Sequence, residues 1–146
     1  MKRAISLSMD RKERERELVS KLLSSAYPAL LPTDQLGKGF ERLFECVDDL
    51  ELDAPGATDI TASFLARAVV DEILPPAFLV DPVAVALGGD VVVQTKLMLS
   101  REHQYSRVER IWGPGDGRPV CLTRSALYSA SRDWVACVPL SPRFPN

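Results

Sequence analysis

Apolar residues in the first half of the chain recur every three or four positions, which is the period of an amphipathic helix. One such repeat spans Arg11–Tyr27, and Pro28 and Pro32 interrupt the chain after it. A second repeat starts after Thr33, a good N-cap residue, and continues to about Asp48. The two stripes consist of Leu18, Leu22, Leu23 and Ala26, and of Leu36, Phe40, Leu43, Phe44 and Val47. The sequence therefore predicts two helices joined by a proline-containing connection.

A third helix is predicted to begin near Pro55, because proline suits the first turn of a helix, and to end before Pro75 and Pro76. Its apolar stripe consists of Ile60, Phe64, Leu65, Ala68, Val69 and Ile73. A short helix over Met1–Met9 is predicted to precede the other three. Successive amphipathic helices with short connections predict an all-α fold built from HEAT-like antiparallel helical pairs.

The hydrophobic pattern weakens after Phe78. Gly88 and Gly89 predict a loop. The stretch Val91–Ser100 is ambiguous, because its consecutive valines favour a strand while its second half fits a helix. A further short helix is predicted near Tyr105–Ile111. Beyond it the chain has no periodicity and is rich in Pro, Ser and Arg, which predicts a tail with little fixed structure.

Composition places the chain among ordinary globular proteins. Its 146 residues fit one small domain, and 46% hydrophobic and 26% charged residues are usual values for a folded protein. The formal net charge of -2 gives no reason to expect a general attraction to nucleic acid or to a membrane surface. No apolar run is long enough to span a bilayer, so no membrane association is predicted.

The sequence offers little for catalysis or metal binding. His103 is the only histidine, so a histidine-based metal site or a Ser–His–Asp triad has almost no support. Cys46, Cys121 and Cys137 lie far apart without zinc-binding spacing, which favours a reduced intracellular chain with unreactive thiols. We therefore predict no catalytic residue, metal, cofactor or small-molecule substrate, and a protein that is not an enzyme.

Four carboxylates lie between Asp48 and Asp53, where the second predicted helix ends and the third begins. Their position is unusual, because the C-terminal end of a helix carries partial negative charge and favours Lys or Arg. Asp53 could cap the following helix by accepting backbone N–H bonds, whereas Asp49 has no such local role. Asp48 and Glu51 are compatible with simple solvation. The alternative to capping is that this acidic segment faces a basic partner.

Several segments, in their order and spacing, resemble the MA-3 (MI) domain of the programmed cell death protein 4 family, and most of all its plant members with several copies of the domain. The segments that carry the resemblance are Lys2–Lys12, Gly39–Leu43, Leu52–Pro55, Phe64–Asp71, Ile73–Leu79 and Val108–Gly113. The last of them resembles the connection between successive copies. The chain would begin inside the third helix of one copy, so a partial domain truncated at its N-terminus is expected.

The resemblance implies a helical domain that binds other proteins. In this family the domain binds the DEAD-box RNA helicase eukaryotic initiation factor 4A, hinders its closure on RNA and ATP, and so represses translation. The helicase-contacting acids of the family include a pair spaced four residues apart, which corresponds to Asp49 and Asp53, and another acid that corresponds to Asp10. Together with Glu51, these residues form the predicted partner-binding set.

The resemblance also suggests a division of the chain. Residues 1–80 would be the partial MA-3 helical domain, 81–113 a linker-like segment with short helices, and 114–146 an irregular or disordered tail. A regulator of this family is predicted to lie in the cytoplasm, with the nucleus as a second location.

Two interpretations of the acidic segment stay open. In the first, Leu50 and Leu52 turn inward, and the acids face outward toward the helicase. In the second, the chain is a generic helical scaffold or a non-functional fragment without helicase binding, and the acids form only a capped turn. Direct RNA binding is not predicted, because Tyr128 and Trp134 would need a folded platform to stack on bases.

Overall fold

The computed structural model describes residues 1–101, which form seven α-helices and one 3₁₀ turn and contain no strand. The helices are α1 (Lys2–Met9), α2 (Glu13–Ala26), α3 (Thr33–Phe44), α4 (Val47–Asp53), α5 (Ala57–Val70), α6 (Pro82–Leu87) and α7 (Gly89–Leu99), and the 3₁₀ turn is Pro76–Val80. The predicted all-α class is confirmed for this part of the chain. The helix predicted near Tyr105–Ile111 and the predicted tail 114–146 lie outside the described residues.

Helix α5 lies at the centre of the fold. It packs against α1, α2, α4 and α7, and it is apolar on nearly all sides, as a helix enclosed by other helices must be. Leu65 and Val69 are fully buried in it. Small side chains at Ala57, Ala62 and Ala68 are buried as well and let neighbouring helices come close. The described helices are therefore organised around α5.

Three phenylalanines hold α3 to the 3₁₀ turn. The ring centroids of Phe40, Phe44 and Phe78 are separated by 6.2 to 6.4 Å, within the range of favourable aromatic contacts. Gly37 on α3 leaves room for the Phe78 ring, which would lie 3.3 Å from a Cβ atom at that position. The absence of a side chain at Gly37 therefore permits the close packing of α3 against the 3₁₀ turn.

Helix α7 corrects the loop predicted at Gly88–Gly89. Only Gly88 leaves the helical conformation, and Gly89 begins α7, which continues to Leu99. Val91, Val92 and Leu99 are buried, and α7 packs against α5. The intrinsic strand preference of valine is small compared with the free energy gained by burying these side chains. Tertiary packing therefore favours a helix here. The core extends past residue 80, although the proposed division of the chain there stays a prediction.

Helix α2 is rotated relative to the sequence prediction. Leu18 and Leu22, expected in the core stripe, are 57% and 59% exposed, whereas Leu23 is buried as predicted. The face that α2 turns toward α5 is partly polar. Arg67 donates to both oxygens of Glu17 at 3.0 Å. These bonds orient α2, so the leucines on its other side stay in solvent.

Two threonines on neighbouring helices give a test of the packing. Thr61 is fully buried, and its Oγ1 has no hydrogen-bond partner in the structure of residues 1–101. Thr95 Oγ1 instead lies 2.7 Å from the carbonyl oxygen of Val91 and 3.3 Å from that of Ala62. Because an unsatisfied buried hydroxyl is unfavourable, Thr61→Val should raise the free energy of unfolding by about 1 kcal/mol. Thr95→Val should lower it by about the same amount.

Urea denaturation of the wild type and the two variants measures both changes through the midpoint concentration. The variants are matched, since each replaces one buried hydroxyl with a methyl group on a helix. If Thr61→Val lowered the midpoint as much as Thr95→Val, the Thr61 hydroxyl would have to be hydrogen-bonded in solution, and the packing of α5 described above would be incorrect.

Candidate partner-binding site

The acidic segment forms a helix, not the connection that the sequence predicted. Helix α3 ends at Phe44, because Cys46 adopts φ -127° and ψ 13°, and α4 begins at Val47. The break lets Val47 become buried and Leu50 pack against the core. Asp48 and Asp49 therefore lie in the first turn of α4, where the helix dipole favours negative charge. The predicted conflict between these acids and a helix C-terminus disappears.

Helix α4 presents most of its acids to solvent. Asp48, Asp49 and Asp53 are exposed. Asp49 and Asp53 are four residues apart on the helix, so they lie on one face, as the partner-binding hypothesis requires. Leu52 is 85% exposed, so the prediction that it turns inward is wrong, because two turns of helix leave room for only Val47 and Leu50 on the buried side.

Asp10 lies on a different element. It is exposed at the C-terminal end of α1. Helix α1 packs against α2, α3 and α5, whereas α4 packs against α3 and α5. The two helices thus share neighbours, but Asp10 is not part of the α4 face. Its predicted contact with a partner stays a prediction.

Glu51 has a structural role that the sequence did not predict. Its Oε1 accepts a hydrogen bond from the Gly56 N–H at 2.7 Å, and its Oε2 accepts from the Thr58 N–H at 2.9 Å and the Thr58 hydroxyl at 3.1 Å. These donors belong to the N-terminus of α5, which begins after Gly56 in the left-handed conformation (φ 87°). The backbone bonds from Thr58 and Gly56 lower the pKa of Glu51 below its ordinary value.

The capping role predicted for Asp53 is wrong. Asp53 is the last residue of α4, and Gly56 occupies the N-cap position of α5 without a side-chain bond. The start of α5 predicted near Pro55 is shifted to Ala57. Glu51 performs the capping instead, because the turn through Pro55 and Gly56 brings the α5 N-terminus back to the middle of α4.

The lowered pKa of Glu51 predicts a stability that depends on pH. A carboxylate whose pKa is lower in the folded state stabilises it at neutral pH, and this contribution is lost as the pH falls from the ordinary value of 4.5 through the lowered one. Glu51→Gln removes the titrating group, so its melting temperature should be lower at pH 7 and should fall less on acidification. Asp48→Asn, which removes an exposed neighbouring carboxylate, is the control.

Thermal unfolding of the three proteins from pH 7 to pH 3 measures this difference. The control should follow the wild type on acidification. An equal loss of melting temperature in the wild type and in Glu51→Gln would show that the bonds to Gly56 and Thr58 do not form in solution.

The described residues offer a binding surface more than a reaction centre. The carboxylates of α4 are arranged on an open helix surface, where they can accept charge-assisted hydrogen bonds from Arg or Lys. Within residues 1–101, no group of three or more His, Cys, Asp and Glu side chains is placed to hold a metal ion. No helix in the same range has the length and apolar character needed to cross a membrane.

Comparison with known proteins gives consistent matches along the chain. The model of the MA3 domain matches residues 1–75. MA3 domain-containing translation regulatory factor 3 of Arabidopsis thaliana is 45% identical over 118 residues, which are 77% of this chain and 17% of the relative. Factor 1 of the same plant is 39% identical over 139 residues, covering 92% of this chain and 20% of the relative.

An animal protein is also similar. Programmed cell death protein 4 of Homo sapiens is 32% identical over 121 residues, covering 79% of this chain and 25% of that protein. No solved structure matches the chain. The chain spans about a fifth of the length of the plant relatives named above.

Proposed function

This chain belongs to the MA3 domain family, and from this premise we propose that it is a non-enzymatic regulator of translation that acts by binding another protein. The plant relatives carry the name translation regulatory factor, and they match most of this chain. The chain corresponds to only a fraction of those relatives, so the proposal concerns what this segment does. Initiation of translation takes place in the cytoplasm, which is the location the proposal requires.

The partner we propose is the DEAD-box helicase eukaryotic initiation factor 4A. The single observation that carries this proposal is the outward face of α4, where Asp49 and Asp53 are both exposed four residues apart. This is the acidic pair through which the family resemblance implies helicase contact. Arg or Lys on the helicase would form charge-assisted hydrogen bonds with the two carboxylates. Leu52, exposed between them in sequence, would add an apolar contact.

Binding at this face would repress translation by a steric route. The helicase must close on RNA and ATP to act. A bound domain that holds basic residues of the helicase in its open conformation would compete with this closure. The other predicted residues take different parts in this proposal. Asp10 would contribute from the end of α1, and Glu51 would fix the orientation of α4 through its bonds to the N-terminus of α5.

A calorimetric titration of the chain with the purified helicase tests the partner. We expect saturable binding that weakens as salt is raised from about 50 to 300 mM, since screening acts on exposed charges at the rim of a contact. Addition of the chain to a cell-free translation reaction should lower the protein yield. If no binding were detected at the low or at the high salt concentration, the generic helical scaffold would be the better interpretation.

A further inference from the structure

A groove of about 570 Å³ lies between α2, α5 and the C-terminal end of α7. Its volume is within the range of pockets that enclose a ligand or several side chains. We call it the α2–α5 groove. It is lined by Glu13, Arg16, Glu17, Ser20, Ile60, Ser63, Phe64, Ala66, Arg67, Val70, Met98, Leu99 and Arg101.

The two sides of the α2–α5 groove differ in character. The side formed by α5 and α7 carries the apolar residues Ile60 and Met98, both only partly buried against the core, together with the polar Ser63 and Arg67. The side formed by α2 is charged. Apolar surface that lines an open groove is unfavourable in water, so an occupant with an apolar face would stabilise the fold.

The charged side of the groove has unused hydrogen-bonding capacity. Arg16 donates through Nη2 to the Arg11 carbonyl oxygen at 3.0 Å, but its Nε is buried without a partner in the structure of residues 1–101. Glu17 is occupied by its bonds to Arg67. Glu13 is exposed on the same helix. A segment that carries charges of both signs would complement this rim.

The position of the chain itself indicates the occupant. Helix α7 ends at Leu99, and both Leu99 and Arg101 line the groove. The residues that follow Arg101 therefore start at the groove and need no linker to reach it. A segment tethered at its own binding site has an effective concentration far above that of a free partner, so weak contacts suffice.

We propose that residues 102–113 dock in the α2–α5 groove. In the sequence of this segment Tyr105, Val108 and Trp112 are spaced three and four residues apart, the pattern with which a helix presents one apolar face. The segment also contains acids and arginines, with Glu109 next to Arg110. Its chemistry thus matches an apolar floor with a mixed charged rim.

Tryptophan fluorescence tests this proposal on the full chain. The chain has two tryptophans, so Trp134→Phe leaves Trp112 as the sole reporter. We expect Trp112 emission to be shifted to shorter wavelength, and acrylamide quenching to be several-fold slower than in a free peptide of residues 102–113. Ile60→Glu, on the groove floor, should raise the quenching rate toward that of the peptide.

Two further variants make the result decisive. Val83→Glu places the same charge on an exposed position of α6 outside the groove and should leave quenching unchanged. Val108→Asp changes only the segment and should expose Trp112 as Ile60→Glu does, while the helical circular dichroism signal is retained. Val108→Asp therefore provides a valid test even if Ile60→Glu fails to fold.

Three outcomes would overturn the proposal. The first is quenching of Trp112 in the intact chain as fast as in the free peptide. The second is protection that neither Ile60→Glu nor Val108→Asp reduces. The third is protection that disappears on dilution, which would assign the groove to a second copy of the chain. Because no helicase is present in the experiment, its result is independent of the proposed function.

Discussion

Asp49→Lys is expected to weaken binding of the initiation helicase by roughly 2–5 kcal/mol, which is about thirtyfold or more, if the carboxylate is paired and desolvated in the complex. The variant replaces an attraction to a basic residue with a repulsion. Its effect on folding should be small, because Asp49 is exposed and contributes to α4 mainly through the helix dipole, by about 0.3–1 kcal/mol. Calorimetric binding and thermal melts of the same samples separate the two effects.

Asp34→Lys is the matched control for Asp49→Lys. Asp34 is also an exposed acid in the first turn of a helix, but it lies on α3. The two variants change the net charge equally and have similar dipole costs. A similar loss of affinity in both would indicate that the helicase responds to overall charge rather than to the face of α4.

Asp53→Lys completes the test of the acidic pair. A helix cap at Asp53, which the sequence left open, would make its loss costly for stability. The structure instead places Asp53 in the last turn of α4, where a positive charge suits the dipole. Affinity should therefore fall while the melting temperature stays constant or rises slightly. Wild-type affinity in both Asp49→Lys and Asp53→Lys would remove α4 from the proposed mechanism and favour a purely structural role.

Gly88→Ala should destabilise the fold by about 1–3 kcal/mol, the usual cost of overpacking a filled core. A Cβ atom at Gly88 would lie 2.5 and 2.6 Å from two ring carbons of Phe44. That ring is buried and in contact with Phe40 and Phe78, so it cannot move without disturbing both. A cost of this size corresponds to a fall in melting temperature of several degrees.

Gly89→Ala is the control for the neighbouring position. Nothing lies within 4 Å of a Cβ atom at Gly89, which begins α7. Alanine there should leave the melting temperature unchanged or raise it slightly, since alanine is the better helix former. Equal behaviour of the two variants would mean that α6 and α7 do not pack on Phe44 in solution, as expected if residues 81–113 were only a linker.

The helices with long apolar repeats could be predicted from the sequence, and α4 could not. Helices α2, α3 and α5 each run for twelve residues or more, which is enough for a period of 3.6 to be visible. Helix α4 has seven residues and directs only Val47 and Leu50 toward the core. Its sequence signal was electrostatic instead, because acids predicted at a helix C-terminus turned out to begin a new helix.

The site was predictable to a similar degree. The sequence placed Asp49 and Asp53 facing outward in a connection between helices, whereas the structure exposes both on one face of α4. Their contact with a partner stays a prediction. The role of Glu51 was not predictable, because its bonds reach across five and seven residues to Gly56 and Thr58. They depend on the path of the turn through Pro55, which no local pattern specifies. The identity of the partner could not be predicted in this way, because it does not depend on how the chain packs.

The central position of α5 has a consequence for synthesis on the ribosome. Helices α1, α2 and α4 all pack against α5, and Arg67 binds Glu17 across 50 residues of sequence. Until α5 has emerged from the ribosome, the apolar faces of α1, α2 and α4 that pack against it are therefore exposed to solvent. Until α5 emerges, these exposed faces make the nascent chain prone to aggregation, so we expect it to depend on protection from other proteins at this stage.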